Sequence, residues 1–160
     1  ALETTTWITG RVLLILFTAT VFGRLLVENQ IPGIVAEALL DFTSNMYLIW
    51  ALIIAFLLFV GMFMETLATI MILTPVLLPI MYNLGVDPVH FGVVMVATLA
   101  IGFQTPPLGE NLFVASGISN ASIEDISMKA LPFAFAAVVA IFIIAYVPSI
   151  SLFLPGLLGY

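Results

Sequence analysis

The chain has 160 residues, 63% of them hydrophobic and only 8% charged, with a mean hydropathy of +1.30, where a soluble domain carries roughly a quarter charged residues. Nine acidic and three basic side chains give a formal net charge of −6; so sparse a set neither solvates a globule of this size nor offers the clustered cations that nucleic acid requires, so no nucleic-acid partner is expected. Cysteine is absent, which excludes disulfides, thiolate metal sites and thiol nucleophiles. Lipid is the natural solvent for this composition, and in lipid the backbone must satisfy itself within helices, so an all-α integral membrane protein is expected.

The first residues, Ala1-Leu-Glu-Thr-Thr-Thr6, have neither an initiator Met nor the basic start of a signal peptide, so the chain reads as part of a longer protein. Residues 7–27 form an apolar segment of about the ~20 residues a membrane helix needs, with Arg11 and Arg24 near its ends where long side chains reach the headgroups. Residues 28–45 mix Pro32, Gly33, Glu37 and Asp41 with Ile31, Ile34, Val35, Leu39, Leu40 and Phe42. Their apolar positions recur at helical spacing, the pattern of a helix lying along the membrane surface.

Residues 46–82 are apolar for too long to be one helix, and Gly61-Met-Phe-Met-Glu-Thr66 interrupts them. Each half is slightly short for a full crossing. Two arrangements fit, a pair of tight spans or a helical hairpin that dips in and returns; both bring the chain back to the side it left. As a hairpin tip, Gly61, Glu65 and Thr66 lie at depth with frayed helix ends and hydroxyls, and an ionisable group in such a context points to function. As a surface loop, Glu65 merely meets water. Residues 83–88 (Asn83-Leu-Gly-Val-Asp-Pro88) compose a turn.

The next apolar segment, residues 91–118, is broken by Gly102-Phe-Gln-Thr-Pro-Pro-Leu-Gly-Glu-Asn111. Pro106 and Pro107 remove two backbone donors, and Thr105 before them is pushed towards extended geometry. Gly102 and Gly109 relax the backbone on either side. Unpaired carbonyls and the Thr105 hydroxyl are hard oxygen ligands for a small cation such as sodium, and a half-helix beginning near Leu108 points its positive end at the break, where an anionic substrate can sit. Glu110 and Asn111 add polar groups. The plainer reading is a proline kink in a packed helix, with Gln104 and Asn111 bonding to neighbours. Residues 119–129 are polar, with Ser122-Ile-Glu-Asp125 as a helix start; residues 131–147 give a last span, and residues 148–160 an apolar tail. Arg11 and Lys129 on one side against Arg24 on the other favour the former as cytoplasmic, with the carboxy terminus outside. His90 reads as a headgroup-level histidine, and Met62, Met64, Met71, Met81 and Met95 as core filler. No phosphate loop, zinc spacing or serine elbow is present, so no enzyme is expected.

Gly61-Met-Phe-Met-Glu-Thr-Leu-Ala-Thr-Ile-Met-Ile-Leu-Thr-Pro-Val-Leu-Leu-Pro79, Leu84-Gly-Val-Asp-Pro-Val-His-Phe-Gly92, Gly102-Phe-Gln-Thr-Pro-Pro-Leu-Gly-Glu-Asn-Leu-Phe113 and Val147-Pro-Ser-Ile-Ser-Leu-Phe-Leu-Pro155 resemble the late region of the large membrane subunit of TRAP transporters (tripartite ATP-independent periplasmic, DctM- and SiaM-like). The resemblance covers residues 46 to the end, and its specific part is Thr-Pro-Pro-x-Gly-x-Asn-Leu-Phe. It implies one inverted repeat of an elevator-type ion-transporter fold, with a re-entrant helical hairpin over residues 46–84, a discontinuous helix over residues 91–118 and an arm helix over residues 28–45. The implied division is scaffold and arm (residues 1–45), hairpin plus broken helix of the transport domain (46–120), and connector plus last transmembrane helix (121–160).

By the same resemblance, a sodium ion as coupling ion binds between the tip (Gly61, Glu65, Thr66) and the break (Gly102, Thr105, Pro106, Gly109), largely through backbone carbonyls. Organic-acid substrate of the C4-dicarboxylate or sialic acid type sits beside Thr105, Pro107 and Asn111. The family's motif usually has an aspartate where Glu65 stands. The implied partners are a small membrane subunit, a periplasmic substrate-binding protein, the amino-terminal half of the large subunit and the lipid of a bacterial inner membrane. The competing expectation is a channel-like or structural membrane subunit with proline-kinked helices.

Overall fold

The computed structural model describes residues 6, 17–18, 21–22, 24–25, 28–30, 34, 37–38, 41, 43, 45–64, 66–106, 109–119 and 121–159. The expected first span and arm, residues 7–27 and 28–45, fall largely outside the described residues. From Asn45 onwards the described residues are helical and joined by turns. The helices are α1 (Met46–Gly61), α2 (Thr66–Asn83), α3 (Pro88–Gly102), α4 (Glu110–Ser119), α5 (Ile123–Tyr146) and α6 (Pro148–Leu157).

Local chemistry explains where these helices start. The Asn45 side chain accepts from Tyr47 N at 2.9 Å, and Asp87 Oδ1 accepts from Val89 N and His90 N at 2.8 and 3.2 Å, with Pro88 in the first turn. Ser122 Oγ accepts from Asp125 N at 3.1 Å and donates to the Asp125 carboxylate at 2.7 Å. Each cap satisfies donors that a helix start leaves orphaned. The end of α2 is a Schellman closure: Gly85 takes φ 81°, Val86 N donates to Met81 O at 3.0 Å and Gly85 N to Tyr82 O at 2.9 Å. Val86 and Met81 both bury in the core beside it, the apolar contact that accompanies this motif.

The helix α3 is the hub. It packs most extensively on α1, then on α5 and α2, and also on α6. Ile49, Trp50, Ile53, Ile54 and Leu57 of α1 recur at three- and four-residue spacing and meet Phe91, Val94, Met95 and Leu99 of α3, with Leu77, Ile80 and Met81 of α2 closing the core. Trp50 lies against Phe91 at one end (ring centroids 6.3 Å apart), and Gly61 lies against Gly102 at the other. The two helices therefore run parallel, and α2 is the return limb between them.

Among the described residues, two helices, α2 and α5, are long and apolar enough to cross a membrane. At 1.5 Å per residue the 18 residues of α2 reach about 27 Å, against a hydrocarbon core of about 30 Å. Pro75 and Pro79 sit inside α2 without ending it. The expected last span starts earlier than residue 131: Ser122 caps a single helix of 24 residues that runs through Pro132. The expected apolar tail is instead the helix α6, begun by Pro148.

Candidate functional site

The two interrupted segments meet at Gly61 and Gly102. A Cβ on Gly102 would stand 2.8 Å from Leu58 O and 2.9 Å from Gly61 Cα, and one on Gly61 would stand 3.0 Å from Leu99 O. Gly102 admits only hydrogen and Gly61 is tightly enclosed, so the helix ends approach at backbone-to-backbone distance. Both are carboxy-terminal ends, where the last carbonyls carry partial negative charge. Their convergence at one point makes a place that attracts a cation. Among the described residues no group of three His, Asp or Glu side chains could hold a metal ion, so a cation here would rely on backbone and hydroxyl oxygen.

Beyond Gly102 the chain tightens into a turn. Thr105 N donates to Gly102 O at 2.9 Å, Gln104 N to Ile101 O at 3.2 Å, and Gly109 N to Thr105 O at 3.2 Å. A Cβ on Gly109 would lie 2.8 Å from Thr105 N, so this glycine folds directly onto the Thr105 turn. Asn111 N then donates to Phe103 O at 3.3 Å, tying the first turn of α4 to the last residues of α3 across the break.

Several carbonyls at the break, expected to be unpaired, have partners. Those of Leu99, Ile101, Gly102, Phe103 and Thr105 accept backbone donors, and Ala100 O accepts the Gln104 side-chain amide at 3.4 Å. The reason is that lipid supplies no alternative donor. A carbonyl keeps a second lone pair, so these oxygens can still face a cation. The Thr105 hydroxyl donates to Ile101 O at 2.6 Å. That bond fixes its proton on the protein and leaves both oxygen lone pairs for a further ligand.

Of the expected ligands, Gly61, Gly102, Thr105, Pro106 and Gly109 come together around the ends of α1 and α3 and the turn after them. Thr66 opens α2 across the short tip. Glu65 and Pro107 lie outside the described residues. The half-helix after the break begins at Glu110, two residues later than expected. Asn111 is exposed and lines a cavity of about 520 Å³ between α4 and α5 together with Gln104, Leu112 and Phe133, a volume within the usual range for small-ligand sites. Gln104 was not singled out as a binding residue by sequence; its signal is position, one residue before Thr105 in the same polar run. Thr98, buried one turn before Gly102 with its hydroxyl on Val94 O at 2.6 Å, gave no signal within an apolar segment.

His90, expected at headgroup level, is enclosed by protein in the structure. It is 2% exposed, because α5 and α6 close over the start of α3 and supply its ring with two hydrogen-bond partners.

A family model described as the tripartite ATP-independent periplasmic transporter, DctM component, matches residues 1–150. The isethionate TRAP transporter permease protein DctMQ of Oleidesulfovibrio alaskensis is 48% identical over 145 residues, 91% of this chain and 23% of that protein. The C4-dicarboxylate TRAP transporter large permease protein DctM of Pseudomonas aeruginosa is 36% identical over 152 residues, 95% of this chain and 36% of that protein. The sialic acid TRAP transporter large permease protein SiaM of Vibrio cholerae is 36% identical over 153 residues, again 95% of this chain and 36% of that protein. The chain spans about a quarter to just over a third of the length of these relatives. With the family's model running over nearly all of it, the chain belongs to the DctM component family of tripartite ATP-independent periplasmic transporters.

Proposed function

We propose that the chain is a carboxy-terminal part of the large membrane subunit of a sodium-coupled secondary transporter, not an enzyme, that imports small organic acids through a bacterial inner membrane. The relatives' names specify isethionate, C4-dicarboxylates and sialic acid, and small organic anions of this kind are the proposed substrates. The observation that carries the reading is the backbone contact of Gly61 with Gly102, which sets two helix carboxy-terminal ends beside the Thr105 turn.

Sodium as coupling ion is held there by carbonyl oxygens and the Thr105 hydroxyl, with Glu65, Thr66, Pro106 and Gly109 contributing backbone or side-chain oxygen. The organic anion lies beside Thr105, Pro107 and Asn111, towards the amino-terminal ends of α2 and α4, whose partial positive charge suits a carboxylate. Neutralising the converging carbonyl ends with a cation lets the tip close on the break. The hairpin and broken helix (residues 46–120) then move as a unit against a scaffold that includes residues 1–45, in the elevator manner, while residues 121–160 connect the moving part to its last span. The proposed partners are the amino-terminal half of the large subunit, a small membrane subunit and a periplasmic binding protein that delivers substrate.

The test is uptake into proteoliposomes by the full transporter complex, with and without an inward sodium gradient. Accumulation is expected only with the gradient. Thr105→Val should raise the sodium concentration for half-maximal uptake about tenfold, the equivalent of ~1.4 kcal/mol, whereas Thr105→Ser stays near wild type. Equal uptake without sodium would sink the coupling, and an unshifted sodium dependence in Thr105→Val would sink the site.

A further inference from the structure

The cavity between α4 and α5 is a gap left by small side chains. On α5 its wall includes Ala130, Ala134 and Ala137, which recur at three- and four-residue spacing on one face, and α4 adds Ala115. Alanine methyls fill little of the space between two helices, and about 520 Å³ stays open. The polar part of the wall is Gln104 and Asn111, both of them amides.

The protein itself makes little use of these two amides. Gln104 Nε2 donates to Ala100 O at 3.4 Å, a long bond that leaves its second N–H and its Oε1 open. The Asn111 side chain has no hydrogen-bond partner among the described residues. Each amide offers donors and an acceptor together, the set that a hydroxyl matches. Asn111 is also the second residue of α4, so the cavity adjoins the helix end at which the substrate's anionic group is proposed to lie.

Among the described residues no charged side chain lines this cavity. Lys129, the neighbour of Ala130, is exposed and is not part of the wall; the remaining bases of the chain, Arg11 and Arg24, belong to the segment before α1. A carboxylate brought into the cavity loses water against Leu112, Phe133 and alanine without gaining a cation, a cost that two neutral amides offset only in part. A hydroxyl exchanges its hydrogen bonds to water for bonds to the amides and loses little.

We infer that this cavity receives the uncharged end of the transported acid, and that Gln104 and Asn111 select small monoanions with a hydroxyl-bearing tail over dianions. The inference rests on the transport reading and narrows its substrate class. One charged group lies at the amino-terminal end of α4, and one neutral polar group lies between the two amides. A second charge is refused by desolvation rather than by shape.

The experiment uses matched pairs of probes that differ only in a hydroxymethyl or a carboxylate at the far end: γ-hydroxybutyrate against succinate, and isethionate against sulfoacetate. Binding to the full membrane complex in detergent and sodium is read from ligand-dependent thermal stabilisation. The periplasmic binding protein, with its own selectivity, is left out. In at least one pair the hydroxyl-ended probe should bind about tenfold more tightly than its partner. Gln104→Leu and Asn111→Leu should erase that preference by weakening the hydroxyl-ended probe. Gln104→Lys should move it about tenfold towards the dianion, a gain that a merely structural role would not produce. Both residues are exposed, and the melting temperature without ligand checks that each variant folds. Dianions that bind as tightly as their partners overturn the selectivity and leave the transport reading standing. A preference unchanged in Gln104→Leu and Asn111→Leu overturns the placement of the tail in this cavity. Binding of none of the four probes overturns the organic-anion site of the transport reading, and the inference with it.

Discussion

At Gly102 the physical demand is unusually local. The atoms that a methyl group would meet are Leu58 O, Gly61 Cα and Gly61 C at 2.8 to 3.0 Å, all backbone, so no side chain can swing aside. Gly102→Ala must push α1 and α3 apart along their contact, and overpacking of this kind costs about 1–3 kcal/mol. Gly92, ten residues earlier in the same helix, has nothing within 4 Å of its ideal Cβ. Gly92→Ala should therefore be neutral or gain up to ~1 kcal/mol from helix propensity. Thermal unfolding of the two variants of the full-length protein in detergent separates them; equal effects would mean that the Gly61–Gly102 approach does not form. That approach was not legible in sequence. Each glycine was visible as a break in an apolar run, but nothing in either run states that the two breaks touch. Thr105 was legible because a hydroxyl before two prolines in an apolar segment has few roles. Its bond to Ile101 O was not, since it depends on where the preceding turn places that carbonyl.

Elements were more legible than contacts, because caps and breakers are written locally. Asp87-Pro88 reads as a turn, and in the structure the Asp87 carboxylate takes both Val89 N and His90 N. Asp87→Ala should cost about 1 kcal/mol, up to ~2, through two orphaned donors at the start of the hub helix. Asp87→Asn should recover most of it, since the amide oxygen still accepts. The check is unfolding of the full-length protein beside Gly92→Ala as the control; loss in Asp87→Asn as large as in Asp87→Ala would show that charge matters more than capping. Helix α6 is the counter-example. Val147 offers no side-chain cap, Pro148 and Pro155 flank a run with two serines, and so short a helix is marginal by itself. It is held by tertiary contacts, Ser151 on His90 and packing on α3 and α5, which a local reading cannot supply. The same contacts explain why the burial of His90 is not visible in the local sequence: the partners that bury it lie 55 and 61 residues away.

For the whole molecule, the apolar surface left outside the core is as informative as the core. Ile118, Phe133, Phe135 and Phe153 are each at least 70% exposed, a condition that water punishes and lipid or a neighbouring membrane segment does not. Composition made the membrane legible at once; which helices cross it depends on length and surroundings. Helix α5 is the clearest case, and its 24 residues reach about 36 Å, more than the ~30 Å hydrocarbon core. Phe135 is at its midpoint, 72% exposed, and Met128 near its start, 70% exposed. If α5 crosses the bilayer, arginine at these two places has different consequences despite equal exposure. Phe135→Arg places a charge at the bilayer centre and should disfavour insertion by about 2.5–3.5 kcal/mol. Met128→Arg is within reach of the headgroups, where a long side chain keeps its charge in water at little cost. A translocon insertion assay of the α5 segment, scored as the inserted fraction, reads the difference directly. A steep loss for Phe135→Arg with near-wild-type insertion for Met128→Arg fixes α5 as a span. Equal insertion of both would place α5 outside the hydrocarbon core, and its phenylalanines would then have to be covered by protein.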